Sequence, residues 1–541
     1  NGSSYFVVRF NLREGRSQDC IFKDIGTQIP PECETVFYNW ENLVSQKHLI
    51  LNYDKSFDVL LFAHMISSGK KVTSFKDIAF DYAGKIFTEK LSPLSMTDIL
   101  DAIVEIKEAE IKKANETELY EYTQKSIKEY LKVESDYFVN VLRNVEMPIS
   151  EILGKMERRG IRMDIDYIQD LNMEAKSLLD RLSKEIFDSV GHEFNINSPR
   201  QLADVLFNEL QLPAGSKPST REDVLEGLVG THPAVQKLLE YREASKIYGT
   251  YTSPLLEMAK NDINHSIHTD FKQTGTTSGR FSSINPNMQN IPASGTWSEK
   301  LRKAFIPNEG FKFVGMDYAQ MELRIMADMS SDDLLIKDFQ EDLDIHRTTA
   351  ARILGKEIED VTKSERSIGK TVNFAILFGQ TAFGLSRLLK IDAQKASEYI
   401  QHYFEHYVGV ENYIRILERE AYKKGYVQSM LGTTRRIAAV NSKNVTARRA
   451  ALREAVNMPI QGTEADIMKL GMVKLNELIE KEFDKEAYIL LQIHDELVLE
   501  VKRERVDEFK EKVSEILKNV VNLQAPLDVH ASTGNNLSEL K

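Results

Sequence analysis

Two short acidic stretches, far apart along the chain, constrain most what this sequence can fold into. One is D-Y-A-Q-M-E-L-R-I from Asp317 to Ile325, and the other is His494-Asp495-Glu496 between two apolar runs. Phe311 to Met316, following Gly310, has the β-rich character of a short strand, and Gln320 to Met329 is rich in helix formers. Asp317 therefore falls where a strand hands over to a helix. Ala487 to Ile493 and Leu497 to Val501 read as two further strands with His-Asp-Glu at their turn. A hairpin turn beside a strand end can bring both aspartates to one edge of a sheet. Taken singly, neither stretch is informative: D-x-x-x-x-E is most often a solvated helix start, and H-D-E is most often plain turn chemistry.

The segment between them changes the balance. Thr362-Lys363-Ser364-Glu365 has capping-box spacing, which opens a helix that Gly379 can close. Along it Arg366, Lys370, Phe374 and Phe378 recur every fourth residue as one slanting stripe. Such a stripe is commonly a charged face running into core aromatics. Alternatively, cations at the helix start can meet a polyphosphate while the rings further along stack on base and sugar. Paired carboxylates suit that second reading. Joining a nucleotide to a strand requires charge on the attacking 3′-hydroxyl and on the leaving polyphosphate to be neutralised, which two divalent ions do best when held a few ångströms apart. Mg²⁺ takes carboxylate oxygen and keeps several waters, so one or two aspartates plus substrate phosphates suffice. Asp317 and Asp495 are the candidates.

With these residues in this order, the chain resembles the large fragment of bacterial DNA polymerase I, that is, the family A DNA polymerases. The three family motifs stand as D-Y-A-Q-M-E-L-R-I, R-S-I-G-K-T-V-N-F-A-I-L-F-G and Q-I-H-D-E-L-V. They are accompanied by T-S-G-R-F-S-S-I-N-P-N-M-Q-N-I-P from Thr277 to Pro292, D-I-H from Asp344 to His346, and N-M-P-I-Q-G-T-E-A-D-I from Asn457 to Ile467. The similarity runs from about Met147 to the C-terminus. It implies an α+β fold of the right-hand polymerase type, with an antiparallel palm sheet carrying the aspartates and helical fingers and thumb. An α/β, ribonuclease H-like domain of the 3′-5′ exonuclease type is expected to precede it. The expected boundaries are 1–130 for the exonuclease-like domain and 131–541 for the polymerase domain. Within the latter the thumb is expected at about 150–265, the palm at about 266–335 and 430–541, and the fingers at about 336–429. The implied activity is DNA-templated extension of a primer 3′-OH with dNTPs, releasing pyrophosphate, in replication and repair, by a monomer on primer-template DNA.

Position by position, the resemblance makes Asp317 and Asp495 the metal-binding pair, for two Mg²⁺ ions with Mn²⁺ as a substitute. The backbone carbonyl of Tyr318 is a further ligand and Glu496 a supporting carboxylate. Arg366 and Lys370 match the triphosphate-binding pair, with Lys370 also placed to protonate the leaving pyrophosphate, and His346 matches another phosphate contact. Gln320, Phe374 and Phe378 belong to the implied dNTP site. Glu322 matches the residue that crowds the sugar C2′ and so selects deoxyribonucleotides. Family members with Phe at the position of Phe374 tend to discriminate against dideoxynucleotides. Arg280, Asn287, Gln289, Arg453, Asn457, Gln461 and His494 match residues lining the primer-template minor groove. Purine N3 and pyrimidine O2 are acceptors in every correct pair, so donors there test pair shape without reading sequence. Two positions depart from the family pattern: Phe378 stands where Tyr is usual, and Ser294 stands near the place of a family Arg by the triphosphate.

The net charge of −12 argues at first against a polyanionic partner, because phosphate contacts need Lys and Arg. Net charge is not local field, however, and Arg435, Arg436, Arg448, Arg449 and Arg453 form a basic cluster within an otherwise acidic chain. For Arg448 and Arg449 a solvated helix face is the plainer reading. No apolar run reaches membrane-spanning length, Asn1-Gly2-Ser3-Ser4 lacks a signal-like core, and Cys20 and Cys33 are the only cysteines. The expected setting is a reducing cytoplasm. A first residue other than Met points to processing or to a piece of a longer chain, and in full-length family members a 5′-nuclease domain often precedes such a segment.

The N-terminal region has strand-like runs at Tyr5 to Phe10 and His48 to Asn52, then a charged helical stretch from Met96 to about Arg143 leading into Met147-Pro148-Ile149-Ser150. Helical patterning dominates from about 150 to 265, and Ser198-Pro199-Arg200-Gln201 reads as a capping box with Pro at the first helical position. By position, the first region corresponds to the family's exonuclease domain, whose two metals need four carboxylates, the first two as D-x-E. No aspartate in the first hundred residues has Glu two positions on. The family's Y-x-x-x-D appears as Tyr122-Thr123-Gln124-Lys125-Ser126, and Asp54 and Asp58 read as scattered surface carboxylates. A degenerate supporting domain without proofreading is the expectation. Two rivals stand beside the polymerase reading: a nuclease whose polymerase-like part only grips DNA, and a non-enzymatic DNA-binding protein with a decayed site. The missing exonuclease ligands oppose the first, and the presence of Asp317, Asp495 and Lys370 opposes the second. Copying of RNA templates is left open by the sequence.

Overall fold

The computed structural model describes residues 6–12, 16–22, 35–37, 53, 56–67, 75–85, 96–214, 218–293 and 295–540. They divide into two compact units, one of Asn1–Arg158, Asp270–Gln289 and Val314–Ala531, the other of Arg159–Thr269, Asn290–Phe313 and Ser532–Lys541. The His48 to Asn52 run, Asp54, Cys33 and Ser294 lie outside the described residues. Among the described residues no helix is long and apolar enough to cross a membrane.

The first unit is organised by a four-stranded sheet in the order Ala487–Ile493, Glu496–Lys502, Phe311–Tyr318, Val529–Gly534. Its first three strands are buried along most of their length, Leu497 to Val501 completely, whereas the edge strand Val529–Gly534 is largely half-exposed. The Val445–Glu482 and Val506–Lys518 helices pack on it. The first two strands form an antiparallel hairpin whose last pair is Ile493 with Glu496. His494 and Asp495 alone therefore make the turn, with His494 at φ 56 as a tight hairpin turn demands, and Glu496 opens the second strand instead of sharing the turn. Asp317 and Tyr318 end the Phe311–Tyr318 strand, and Gln320, at φ 46, leads into the Met321–Ser330 helix.

The Lys363–Leu377 helix starts from the expected capping box: Thr362 Oγ1 accepts from Glu365 N at 3.3 Å, and Glu365 Oε2 accepts from Thr362 N at 2.9 Å. Phe378 ends it, and Gly379 supplies the left-handed residue just beyond, at φ 61. This helix packs tightly on the Ile345–Leu354 helix. Gly369 permits the approach, because a Cβ there would lie 2.1 Å from His346 O and 2.8 Å from Ala350 N.

In the N-terminal part of the same unit, Phe6–Leu12 pairs antiparallel with Arg16–Phe22, and Thr35–Phe37 pairs parallel with Ser56–Asp58. Asp58 is no surface carboxylate. It is fully buried, and its side chain caps the Val59–Ile66 helix by accepting from Leu60 N at 2.7 Å and Leu61 N at 3.2 Å. An isolated Asp in sequence does not reveal that the apolar helix behind it will carry it inside. The Glu121–Leu131 helix turns its Y-x-x-x-S face into the unit: Tyr122 Oη donates to Asp328 at 3.2 Å, Thr123 Oγ1 donates to Ser429 O at 2.8 Å, and Ser126 is buried.

The second unit is helical around a core that includes Leu182, Ile186, Leu202, Leu206, Val235 and Leu238. Each such side chain contributes about 1.5–3 kcal/mol on burial. Its long Ile165–Val190 helix is capped by Asp164, which accepts from Tyr167 N, and closed by Gly191 at φ 95. At Ser198 only half of the expected capping box forms. Ser198 Oγ accepts from Gln201 N, but the Gln201 side chain accepts from Asn195 N at 2.7 Å instead of closing the box.

Candidate active site

Strand pairing joins the two acidic stretches. Tyr318 N donates to Asp495 O at 3.2 Å, so the residue after Asp317 is bonded to the backbone of Asp495 itself. On the far side, Ala319 N donates to Asp528 O at 2.9 Å. Arg324, one helical turn on, fixes this junction by donating from Nε to Ala319 O at 2.9 Å and from its terminal nitrogen to Pro526 O, with its guanidinium over the Phe339 ring. Neither Asp317 nor Asp495 has a salt-bridge partner among the described residues. Burial and then the neighbouring Asp495 push the Asp317 carboxyl up to about 6, with His530 opposing. Burial also raises Asp495, against its own backbone N–H, His494 and Arg280. Like charges confined together repel in this way until a cation joins them.

Beside the acidic pair, Arg280 donates from one terminal nitrogen to Glu322 at 2.5 Å and to Glu464. Glu464 is almost wholly buried. Burial raises its pKa, Arg280 counteracts, and Glu322 and Asp495 raise it further. The sequence reading had not singled out Glu464. Its place three residues after Gln461 on one helix, hence on the same face, was the available signal. Gln289 donates to Gln492 O at 3.2 Å and Oε1 at 3.1 Å, and Gln492 in turn donates to His494 O. Asn287 is exposed and accepts from Gln289 N at 3.1 Å.

A third group lies on the capped helix. Arg366 Nε donates to Asp344 at 2.6 Å, while Asp344 also accepts from His346 N and Arg347 N as the cap of the next helix. The Phe374 and Phe378 rings stack with centroids 6.1 Å apart and planes 16° off parallel, and His346 lies 5.9 Å from Phe374. Lys370 is exposed and makes no hydrogen bond among the described residues. Burial, followed by Arg366, drives His346 down to about 4, so its ring is neutral. Thr349 donates to Asn373 Oδ1 at 3.1 Å, which leaves the Asn373 amide nitrogen to donate to His346 Nδ1 at 3.2 Å. The ring therefore carries its hydrogen on Nε2 and presents a donor. Asn373 was not among the expected residues.

Of the remaining candidates, Asn457 turns its amide nitrogen to Leu377 O at 2.9 Å and Arg453 O at 3.2 Å, securing the end of the capped helix. Gln461 is partly exposed and makes no hydrogen bond among the described residues. The basic cluster is partly spent within the protein: Arg435 pairs with Glu454 at 3.0 Å, Arg436 donates to Ser67 at 3.2 Å and Arg448 to Ser442 O at 3.2 Å. Arg449 is exposed.

A sheet with two aspartates at adjoining strand ends, accompanied by a helix bearing cations and stacked rings, defines the fold class of the nucleic-acid polymerases. The chain belongs to DNA polymerase family A, whose sequence profile matches residues 165–539. It is 40% identical over 423 residues to DNA polymerase I of Lactococcus lactis, an alignment covering 77% of this chain and 48% of that protein. It is 41% identical over 400 residues to the thermostable DNA polymerase I of Thermus aquaticus, covering 73% and 48% respectively. The chain thus spans about half the length of these curated relatives. Among solved structures it is similar to the POL domain of Pol1 from M. smegmatis in complex with DNA primer-template and dNTP. The TM-score is 0.80 at 31% identity, over 90% of this chain and 82% of that one.

Proposed function

We propose that this chain is a DNA-templated DNA polymerase that extends a primer 3′-OH with dNTPs and releases pyrophosphate. Asp317 and Asp495, with the Tyr318 carbonyl, are the residues to hold two Mg²⁺ ions. The observation that carries the reading is the Tyr318 N–H to Asp495 O bond at 3.2 Å, which joins the backbones of the two acidic stretches, so that the Asp495 charge raises Asp317. Hard oxygen donors, few in number and left with mutual repulsion, fit an ion that takes one or two carboxylates and completes its shell with water and phosphate. When bound, such ions supply Lewis-acid polarisation and charge neutralisation at the attacking and leaving oxygens.

The chain's own groups do the remaining work. Arg366, Lys370 and the Nε2–H of His346 bind the triphosphate, and Lys370 donates the proton to the departing pyrophosphate. Phe374 packs on the incoming sugar, Phe378 stacks on the template base, and Glu322 excludes a 2′-hydroxyl. Arg280, held between Glu322 and Glu464, reads the minor-groove edge of the primer end, with Asn287, Gln289, Arg453, Asn457, Gln461 and His494 lining the same groove. The primer-template and dNTP named with the M. smegmatis structure are the ligands expected here.

Proofreading is not part of the proposal. Asp58 caps a buried helix, and Ser126 stands where the family's Y-x-x-x-D has its last carboxylate, which supports that reading. Primer extension with dNTPs and Mg²⁺ tests the reading: the wild type extends and Asp495→Asn does not, and extension retained by that variant overturns the metal assignment. A mismatched, 3′-labelled primer with Mg²⁺ and no nucleotides stays intact, and trimming of it overturns the loss of proofreading.

A further inference from the structure

Arg280 sits at the end of a tight loop between the short paired strands Asp270–Lys272 and Ser282–Ile284. That loop is built to hold one shape. A Cβ on Gly275 would lie 1.9 Å from Ser282 Oγ, Gly279 takes φ 83, and Thr276 Oγ1 donates to Arg280 O at 2.6 Å. Its neighbours secure it from beneath: Ser150 donates to Gln273 Oε1 at 2.6 Å, and Gln273 donates to Glu146 O at 2.8 Å. Glu146 pairs with buried Lys469 at 2.7 Å, and the Lys469 ammonium lies 5.7 Å from the Phe281 ring centroid.

One further contact comes from elsewhere in the chain. His64, on the buried Val59–Ile66 helix, places Nε2 2.6 Å from Thr276 O. A carbonyl oxygen only accepts, so Nε2 carries the hydrogen and donates. Burial keeps this imidazole neutral by lowering its pKa. A hydrogen-bonded relay thus runs from His64 to Thr276, from Thr276 to the Arg280 backbone, and from Arg280 to Glu322 and Glu464.

We propose that His64 is a positioning residue for the primer terminus, fixing through Thr276 the backbone from which Arg280 reaches the primer minor groove. The proposal rests on the polymerase reading above. It assigns the N-terminal region a part in synthesis: the Val59–Ile66 helix contributes one donor to a loop that must not shift. Displacement of a substrate-positioning group by about 1 Å costs up to about 10²-fold in activity.

The test is single-nucleotide extension of a matched primer-template with Mg²⁺ by the wild type, His64→Ala, His64→Gln, Arg280→Ala and the His64→Ala/Arg280→Ala pair. Val59→Ala, at a buried position on the same helix, reports the effect of loosening that helix alone. His64→Ala raises KM for primer-template about tenfold and leaves KM for dNTP at saturating DNA unchanged. His64→Gln, whose amide also donates, recovers most of the loss. The pair is no worse than Arg280→Ala, because the two residues act as one. Additive losses in the pair overturn the proposal, as does an equal rise in KM for DNA in Val59→Ala at matched loss of Tm, or an unchanged KM in His64→Ala. A wild-type protein that extends no primer overturns the polymerase reading and this proposal together, whereas normal wild-type extension with an unaffected His64→Ala overturns this proposal alone.

Discussion

Gly369→Ala separates two opposing effects on one helix. In an open helix the substitution would stabilise by about 1 kcal/mol, because Gly is the poorer helix former. Here the new methyl would meet His346 O at 2.1 Å, Ala350 N at 2.8 Å and Ala350 Cβ at 3.0 Å. Comfortable carbon contacts begin at about 3.5 Å, so the Lys363–Leu377 and Ile345–Leu354 helices must part by about 1 Å. The two nearest obstructing atoms are backbone and cannot rotate aside. Overpacking of this kind costs about 1–3 kcal/mol, which offsets or outweighs the propensity gain and leaves a net loss of up to about 2 kcal/mol. The functional effect is larger. Gly369 lies between Arg366 and Lys370, so parting the helices moves both cations away from His346, and KM for dNTP should rise about tenfold or more. Single-nucleotide incorporation with a dNTP titration, read beside urea unfolding, measures both quantities, and affinity for primer-template serves as the unaffected control. A Gly369→Ala protein of undiminished stability with wild-type KM for dNTP would refute the argument that this contact sets the triphosphate site.

Glu322→Ala should raise ribonucleotide incorporation while the fold holds, because Arg280 keeps Glu464 as a partner, and unchanged sugar selectivity in competition assays would refute the assignment. His346 titrates at about 4 in the folded protein, against about 6.5 for an unperturbed histidine. Between those values the unfolded chain binds the extra proton, so stability falls as pH drops from about 6.5 toward 4. His346→Gln should flatten that limb, and parallel urea-unfolding curves for the two proteins across the window would contradict it. Lys469→Met leaves the Glu146 carboxylate buried without its cation and should cost about 3–5 kcal/mol in urea unfolding, whereas a loss below about 1 kcal/mol would show the pair to be dispensable.

The parts of the site readable from sequence are those set by local pattern. The strand before Asp317, the hairpin around Asp495 and the capping box at Thr362 each depend on a few adjacent residues, and each formed within one or two residues of its expected place. What escaped depends on tertiary approach. Glu464 matters because Arg280 reaches it from a loop far away in sequence, and Asn373 matters because Thr349 consumes its oxygen and leaves its nitrogen for His346. Asp58 was misread for the same reason: an isolated carboxylate carries no mark of burial, and only the apolar helix it caps takes it inside.

The bond between Tyr318 and Asp495 has a consequence for what mutation can reach. Because Asp317 lies at a strand end and Asp495 in the hairpin turn bonded to that end, their backbone spacing follows the inter-strand repeat of a β-sheet, about 4.8 Å, more than side-chain packing. A backbone lattice of that pitch works as a ruler that loops and helices cannot rescale. Side chains around the sheet can thus change while the separation of the Asp317 and Asp495 backbones stays constant.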